Sequence, residues 1–76
     1  MAAKLTFEYD RIGDILYVNK CKPYPEQDST ELDDLVVARL NPDTGEIENL
    51  EIIFFSKRLA NNYFELPVTV EMRPLA

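Results

Sequence analysis

Two stretches of this chain alternate apolar and polar residues without a break, and that period of two constrains the fold more than any other feature. In Leu5-Thr6-Phe7-Glu8-Tyr9 the apolar side chains fall on one face and Thr6 and Glu8 on the other. In 64–72, Phe64, Leu66, Val68, Val70 and Met72 alternate with Glu65, Pro67, Thr69 and Glu71. Successive strand residues point to opposite sides, so each stretch predicts a strand with one buried face. Pro67 cannot donate a ladder hydrogen bond, which places the second stretch at a sheet edge or, alternatively, against a second subunit.

The remaining elements follow from composition and turn signals. Ile15-Leu16-Tyr17-Val18-Asn19-Lys20 is rich in β-branched and aromatic residues and predicts the return strand of a hairpin. Gly13 lies in the connection before it, where a positive φ is most easily tolerated. Residues 35–40 and 46–55 form a second hairpin around Asn41-Pro42-Asp43-Thr44-Gly45-Glu46, with Pro42 preset for a turn and Gly45 in a left-handed conformation. Between the hairpins, 21–34 carries Pro23, Pro25 and a dense acidic cluster, and is read as a long exposed connection with a single turn near 29–33. Residues 56–62 suit two helical turns, with Ser56 as N-cap and Asn61 and Asn62 as stop residues. The fold class expected is therefore α+β: one domain over 1–76, a small antiparallel β-meander of four to five strands with one short helix after strand four.

Composition narrows the functions open to such a domain. A chain of 76 residues has little core, and its 46% hydrophobic content makes self-association, a homodimer in the simplest case, an expected source of stability. Fourteen acidic against eight basic residues give a net charge of −6, which repels phosphate backbones and argues against nucleic-acid binding. The same charge suits a basic protein partner. With no histidine and a single cysteine, a structural zinc site in one chain, a Cys-His pair and a Ser-His-Asp triad are excluded, as is an intramolecular disulfide. The opening residues carry no apolar signal-peptide core and no run reaches membrane-spanning length, so a soluble, cytoplasmic protein without membrane contact is expected.

The candidate chemical groups each have an architectural reading beside the functional one. Asp10 and Asp14 flank a turn, where aspartates bond nearby backbone N–H groups; two carboxylates at that spacing could also meet a cation, but they do not form an EF-hand loop. Tyr17 shares a strand face with Ile15 and suits a ring packed in the core with its hydroxyl at the rim. Glu51 lies between Leu50 and Ile52, and if buried it would need a cation, with Lys57 or Arg58 nearest in sequence. Ser56-Lys57 has the residue types of a Ser-Lys pair, yet adjacent helical residues point apart. Cys21 stands beside Lys20 and Lys22 with no further partner in the sequence. Asp28, Glu31, Asp33 and Asp34 form either a solvated charge run or a surface that docks a basic partner. None of these groups makes a catalytic constellation, and no metal or cofactor is assigned.

Tyr9-Asp10…Asp14-Ile15-Leu16-Tyr17-Val18, then the acidic turn with Asp43 and Gly45, then Glu51-Ile52 and Ser56-Lys57, resemble domain-of-unknown-function family 2283, small prokaryotic proteins. The resemblance covers about two-thirds of the chain and omits 21–28 and 64–72. It departs where the family has Gly-Ile-Glu-Ile and this chain has Asn49-Leu50-Glu51-Ile52. It implies a compact cytoplasmic β-meander with a helix and assigns no role to Tyr9, Asp10, Asp14, Tyr17, Glu51, Ser56 or Lys57. Some relatives look like the small partner in toxin–antitoxin-type gene pairs. The leading expectation is thus a non-enzymatic protein-binding or regulatory module, antitoxin-like in its partner. The rival is a metal- or ligand-dependent enzyme or binding protein using Asp14, Tyr17 and Glu51.

Overall fold

The computed structural model describes residues 4–75; the reading of the first three residues as free of a signal-peptide core falls outside them. Five strands, β1 (Thr6–Asp10), β2 (Ile15–Asn19), β3 (Asp28–Asp33), β4 (Val36–Leu40) and β5 (Ile47–Ile53), form one antiparallel sheet in the order β1-β2-β5-β4-β3. A single turn of helix, α1 (Phe55–Arg58), and a 3-10 turn over Leu59–Asn61 follow.

The small α+β character stands, but four finer expectations do not. Only β3, β4 and β5 run as a meander; the β1–β2 hairpin joins them through the β2–β5 ladder, which pairs Leu16 with Ile52 and Val18 with Leu50. Residues 28–33, expected within a connection, form edge strand β3. Their sequence, Asp-Ser-Thr-Glu-Leu-Asp, has no apolar alternation because an edge strand exposed at every position but Leu32 needs none; the ladder from β4 organises it. The helix consequently follows the fifth strand rather than the fourth. Finally, 64–72 is not a strand. Phe64, Leu66 and Val68 are half-buried and the residues between them exposed, so the alternation is real, but no ladder forms. At Pro67 the chain makes a three-residue turn, with Val68 N–H donating to the Leu66 carbonyl at 2.8 Å.

Register places Tyr9, Leu16, Val18, Leu50, Ile52, Val36 and Ala38 on one face of the sheet, and Tyr17, Asn19, Asn49, Glu51, Val37 and Arg39 on the other. The core lies on the first face and is small: among the described residues only Val36, Ala38 and Ile52 are buried apolar side chains. Phe55 of α1 covers one end, stacking edge-on with Tyr9 at 5.7 Å and Phe64 at 5.9 Å between ring centroids.

Turn chemistry explains the corners. The positive φ of this turn falls on Asp14, at φ 56°, a conformation aspartate tolerates, rather than on Gly13, where it is most easily tolerated. Gly13 is needed for a different reason: a Cβ there would lie 2.8 Å from Asp10 Oδ2. That carboxylate caps the turn, accepting from Ile12 and Gly13 N–H at 3.0 and 3.1 Å. Gly45 is left-handed as expected, at φ 76°. Asn62 ends the 3-10 turn in the same region, at φ 71°, in line with its predicted stop role.

Candidate functional site

The chemistry-bearing side chains gather into two knots, each built from a tyrosine and a carboxylate. In the first, Tyr9 Oη donates to Asp14 Oδ1 at 2.7 Å, while Ser56 donates its N–H to Oδ1 at 3.0 Å and its hydroxyl to Oδ2 at 2.7 Å. The Asp14 carbonyl accepts Phe55 N–H at 3.0 Å. Ser56 is therefore not the N-cap of α1. Phe54 occupies that position in a left-handed conformation with no side-chain cap bond, and Asp14 reaches from the β1–β2 turn to serve the first N–H groups instead. The phenol and the two Ser56 donors hold the Asp14 carboxyl below its ordinary value, with Lys57 adding a smaller attraction; the same carboxylate raises the Tyr9 phenol.

The second knot ties the β2–β3 connection to β5. Tyr24 Oη donates to Glu48 Oε1 at 2.6 Å, Gln27 Nε2 donates to the same oxygen at 3.0 Å, and Asn41 Nδ2 reaches Oε2 at 3.3 Å. Gln27 Nε2 also donates to Asn49 Oδ1 at 2.7 Å. Asn49 Nδ2 in turn serves Asn19 Oδ1 at 2.8 Å and the Cys21 carbonyl at 2.7 Å. Gln27 and Asn49 are both buried, Asn49 at 1% exposure, and every donor and acceptor of the two amides is engaged. Glu48 can enter this knot because the register of β4 and β5 shifts between Arg39 and Leu40, leaving Glu48 opposite no residue of β4. The Tyr24 hydrogen bond lowers the Glu48 carboxyl and the carboxylate pushes the Tyr24 phenol up to about 12.

These geometries limit proton transfer near neutral pH. Both carboxyls are held ionised with their oxygens occupied by donors, and both phenols are held protonated. A general acid or base works best with a pKa near the operating pH, and here each shift runs away from it. Ser56 has a carboxylate as its acceptor, but one made less basic by the same network.

Of the residues singled out from sequence, the structure brings Tyr9, Asp14 and Ser56 together, with Lys57 close by and its Nζ 5.1 Å above the Phe54 ring. Asp10 stays within its turn. Tyr17 and Glu51 are register partners across β2 and β5. The cation beside Glu51 is Arg39, Nε to Oε2 at 3.1 Å, rather than Lys57 or Arg58; neighbouring strands bring it there, whereas α1 turns away and Arg58 donates to the Asp34 carbonyl. Asp28, Glu31 and Asp33 line the β3 edge, with Asp34 in the turn that follows. Cys21 is exposed. Among the described residues no group of three or more cysteine or carboxylate side chains could hold a metal ion, and no helix is long and apolar enough to cross a membrane.

The second knot went unread in the sequence. Its one signal was Asn49, a carboxamide in an otherwise apolar strand, where an unpaired amide would be costly. Comparison with family models, with curated proteins and with solved structures returned no match for this chain.

Proposed function

We propose that this protein is a non-catalytic binding and regulatory module that presents the acidic edge of its sheet to a basic protein partner. The observation that carries this reading is the distribution of charge. Asp28, Glu31, Asp33 and Asp34 are exposed along one edge, and none of them has an ion-pair partner among the described residues. Charged, unbulky and bulged between Glu31 and Asp33, β3 resists strand addition from another sheet while keeping a concentrated negative field. The saturation of Tyr9, Asp14, Ser56, Tyr24 and Glu48 by one another supports an architectural use of the polar groups. The resemblance to family 2283 and its antitoxin-like members agrees with a small acidic protein that masks a basic one. Against the rival, Asp14 is committed to α1 and Glu51 to Arg39, so neither is free to join Tyr17 around a cation.

The test is capture of partners from the native cell by tagged wild-type chain and by the Asp33→Asn/Asp34→Asn variant. A stoichiometric basic protein, released by raised salt and lost in the variant while its circular dichroism is unchanged, is the expected result. Equal capture by wild type and variant would remove the role given to the acidic edge.

A further inference from the structure

We infer that a second copy of this chain covers the apolar face formed by β1 and the segment 68–75. Four observations lead there. First, that face is open. Phe7 is 61% exposed, Val70 67% and Met72 79%, and a groove of about 910 Å³ runs between the segment, Leu5, and the sheet residues Val18 and Leu50. Second, the chain as a whole exposes more surface than a compact monomer of its mass. A compact monomer of 8.8 kDa exposes about 4,800 Å². This chain exposes 6106 Å². The difference, roughly 1,300 Å², belongs to the whole chain and is of the order of the ~800 Å² that each partner buries in an interface of standard size.

Third, strand-like backbone is left without ladder partners on this side. The outer edge of β1 is unpaired and, unlike β3, runs in unbroken register with its neighbour. Among the described residues, the main chain of 64–75 makes a single backbone hydrogen bond, the turn at Pro67. A two-fold related copy supplies the same strand edge and the same alternating segment, so one self-complementary surface covers both.

Fourth, the groove beside β1 is nearly balanced in charge, while β1 itself adds the exposed carboxylates Glu8 and Asp10. The groove carries Lys4, Lys20 and Arg73 against Glu48 and Glu71. The acidic residues of β3 lie at the opposite edge, four strand spacings or ~19 Å across the sheet. That exceeds the Debye length of ~8 Å at physiological salt, so their mutual repulsion in a dimer is screened.

The experiment is sedimentation and light scattering of the full chain over a concentration series, with wild type, Val70→Asp/Met72→Asp and, separately, Phe7→Lys. The wild type is expected to show twice the chain mass, and each variant to raise the dimer dissociation constant by about 100-fold, since a charge at the centre of a desolvated contact is uncompensated. These side chains are exposed within one chain, so circular dichroism of the variants at low concentration should match the wild type; if either variant loses its fold, the wild-type concentration series and the other variant decide. A wild-type monomer at high-micromolar concentration overturns the inference, and so does a dimer that persists in both variants. Asp33→Asn/Asp34→Asn should leave the mass unchanged, which separates this surface from the acidic edge proposed for the partner.

Discussion

The two edges of this sheet are opposites. Both are exposed, but β3 is acidic and interrupted by a bulge, whereas β1 is regular, sets Phe7 and Tyr9 on one face with Glu8 and Asp10 among its residues, and adjoins a groove that is close to neutral. Each edge is fixed by its own tyrosine–carboxylate knot. Asp14 ties the β1–β2 turn to α1, and Glu48 with Asn49 ties the connection that delivers the chain to β3. The difference teaches that a thin core need not leave both edges equally adhesive. A charged, bulged edge acts at a distance and is weakened by salt, whereas an apolar edge acts only on contact and tolerates salt.

The knots give the sharpest ways to break this pairing, because they differ in burial. Asn49→Ala has the largest expected effect. It strips partners from Gln27, Asn19 and the Cys21 carbonyl at a buried site, costing about 3 kcal/mol. In a domain of this size that lowers Tm by roughly 15 °C, measurable by thermal denaturation. Ser56→Ala acts on the exposed knot, where water replaces the lost hydroxyl, and should cost about 1 kcal/mol or less. Equal losses at the two positions would contradict the difference in burial.

Acid and alkali act on both knots in the same direction. Asp14 and Glu48 are both depressed from ordinary values of 3.8 and 4.5, so each contributes stability that is present above those values and is lost as pH falls through the lower folded one. Tyr24 is raised from 10.0 to about 12, so its contribution is whole below pH 10.0 and disappears as pH climbs toward 12. Melting curves against pH should show a Glu48→Gln variant losing part of the acid-side dependence, and Tyr24→Phe part of the alkaline-side dependence. The smallest expected effect on stability is that of Asp33→Asn/Asp34→Asn, within about 0.5 kcal/mol, because these carboxylates have no ion-pair partner among the described residues. A large loss there would mean that the β3 edge is structural rather than a surface held free for a partner.

How much of this could be read beforehand depended on whether a residue's role is local. The hairpin at Asn41–Glu46 and the β1–β2 pair were legible because turn residues and alternation act within a few positions. Strand β3 was not, since Asp28–Asp33 is organised by β4 rather than by its own pattern. The segment 64–72 misled for the converse reason: its alternation matches a half-buried face only as far as Val68, and a ladder also needs a neighbouring strand and an N–H at position 67. For the site, Tyr9, Asp14 and Ser56 were singled out separately, yet their meeting depends on β5 carrying α1 back beside the first turn. Asn49, Glu48 and Gln27 are brought together by a connection whose prolines and acids resemble any exposed loop.

Amide hydrogen exchange of the full chain at low and high protein concentration tests the contrast between the edges most directly. Amides of β1 that face away from β2, together with those of 68–75, should gain protection as concentration rises, while the outer amides of β3 exchange at an unchanged rate. Protection gained along β3, or none gained along β1, would contradict the assignment of self-association to the apolar edge and of partner docking to the acidic one.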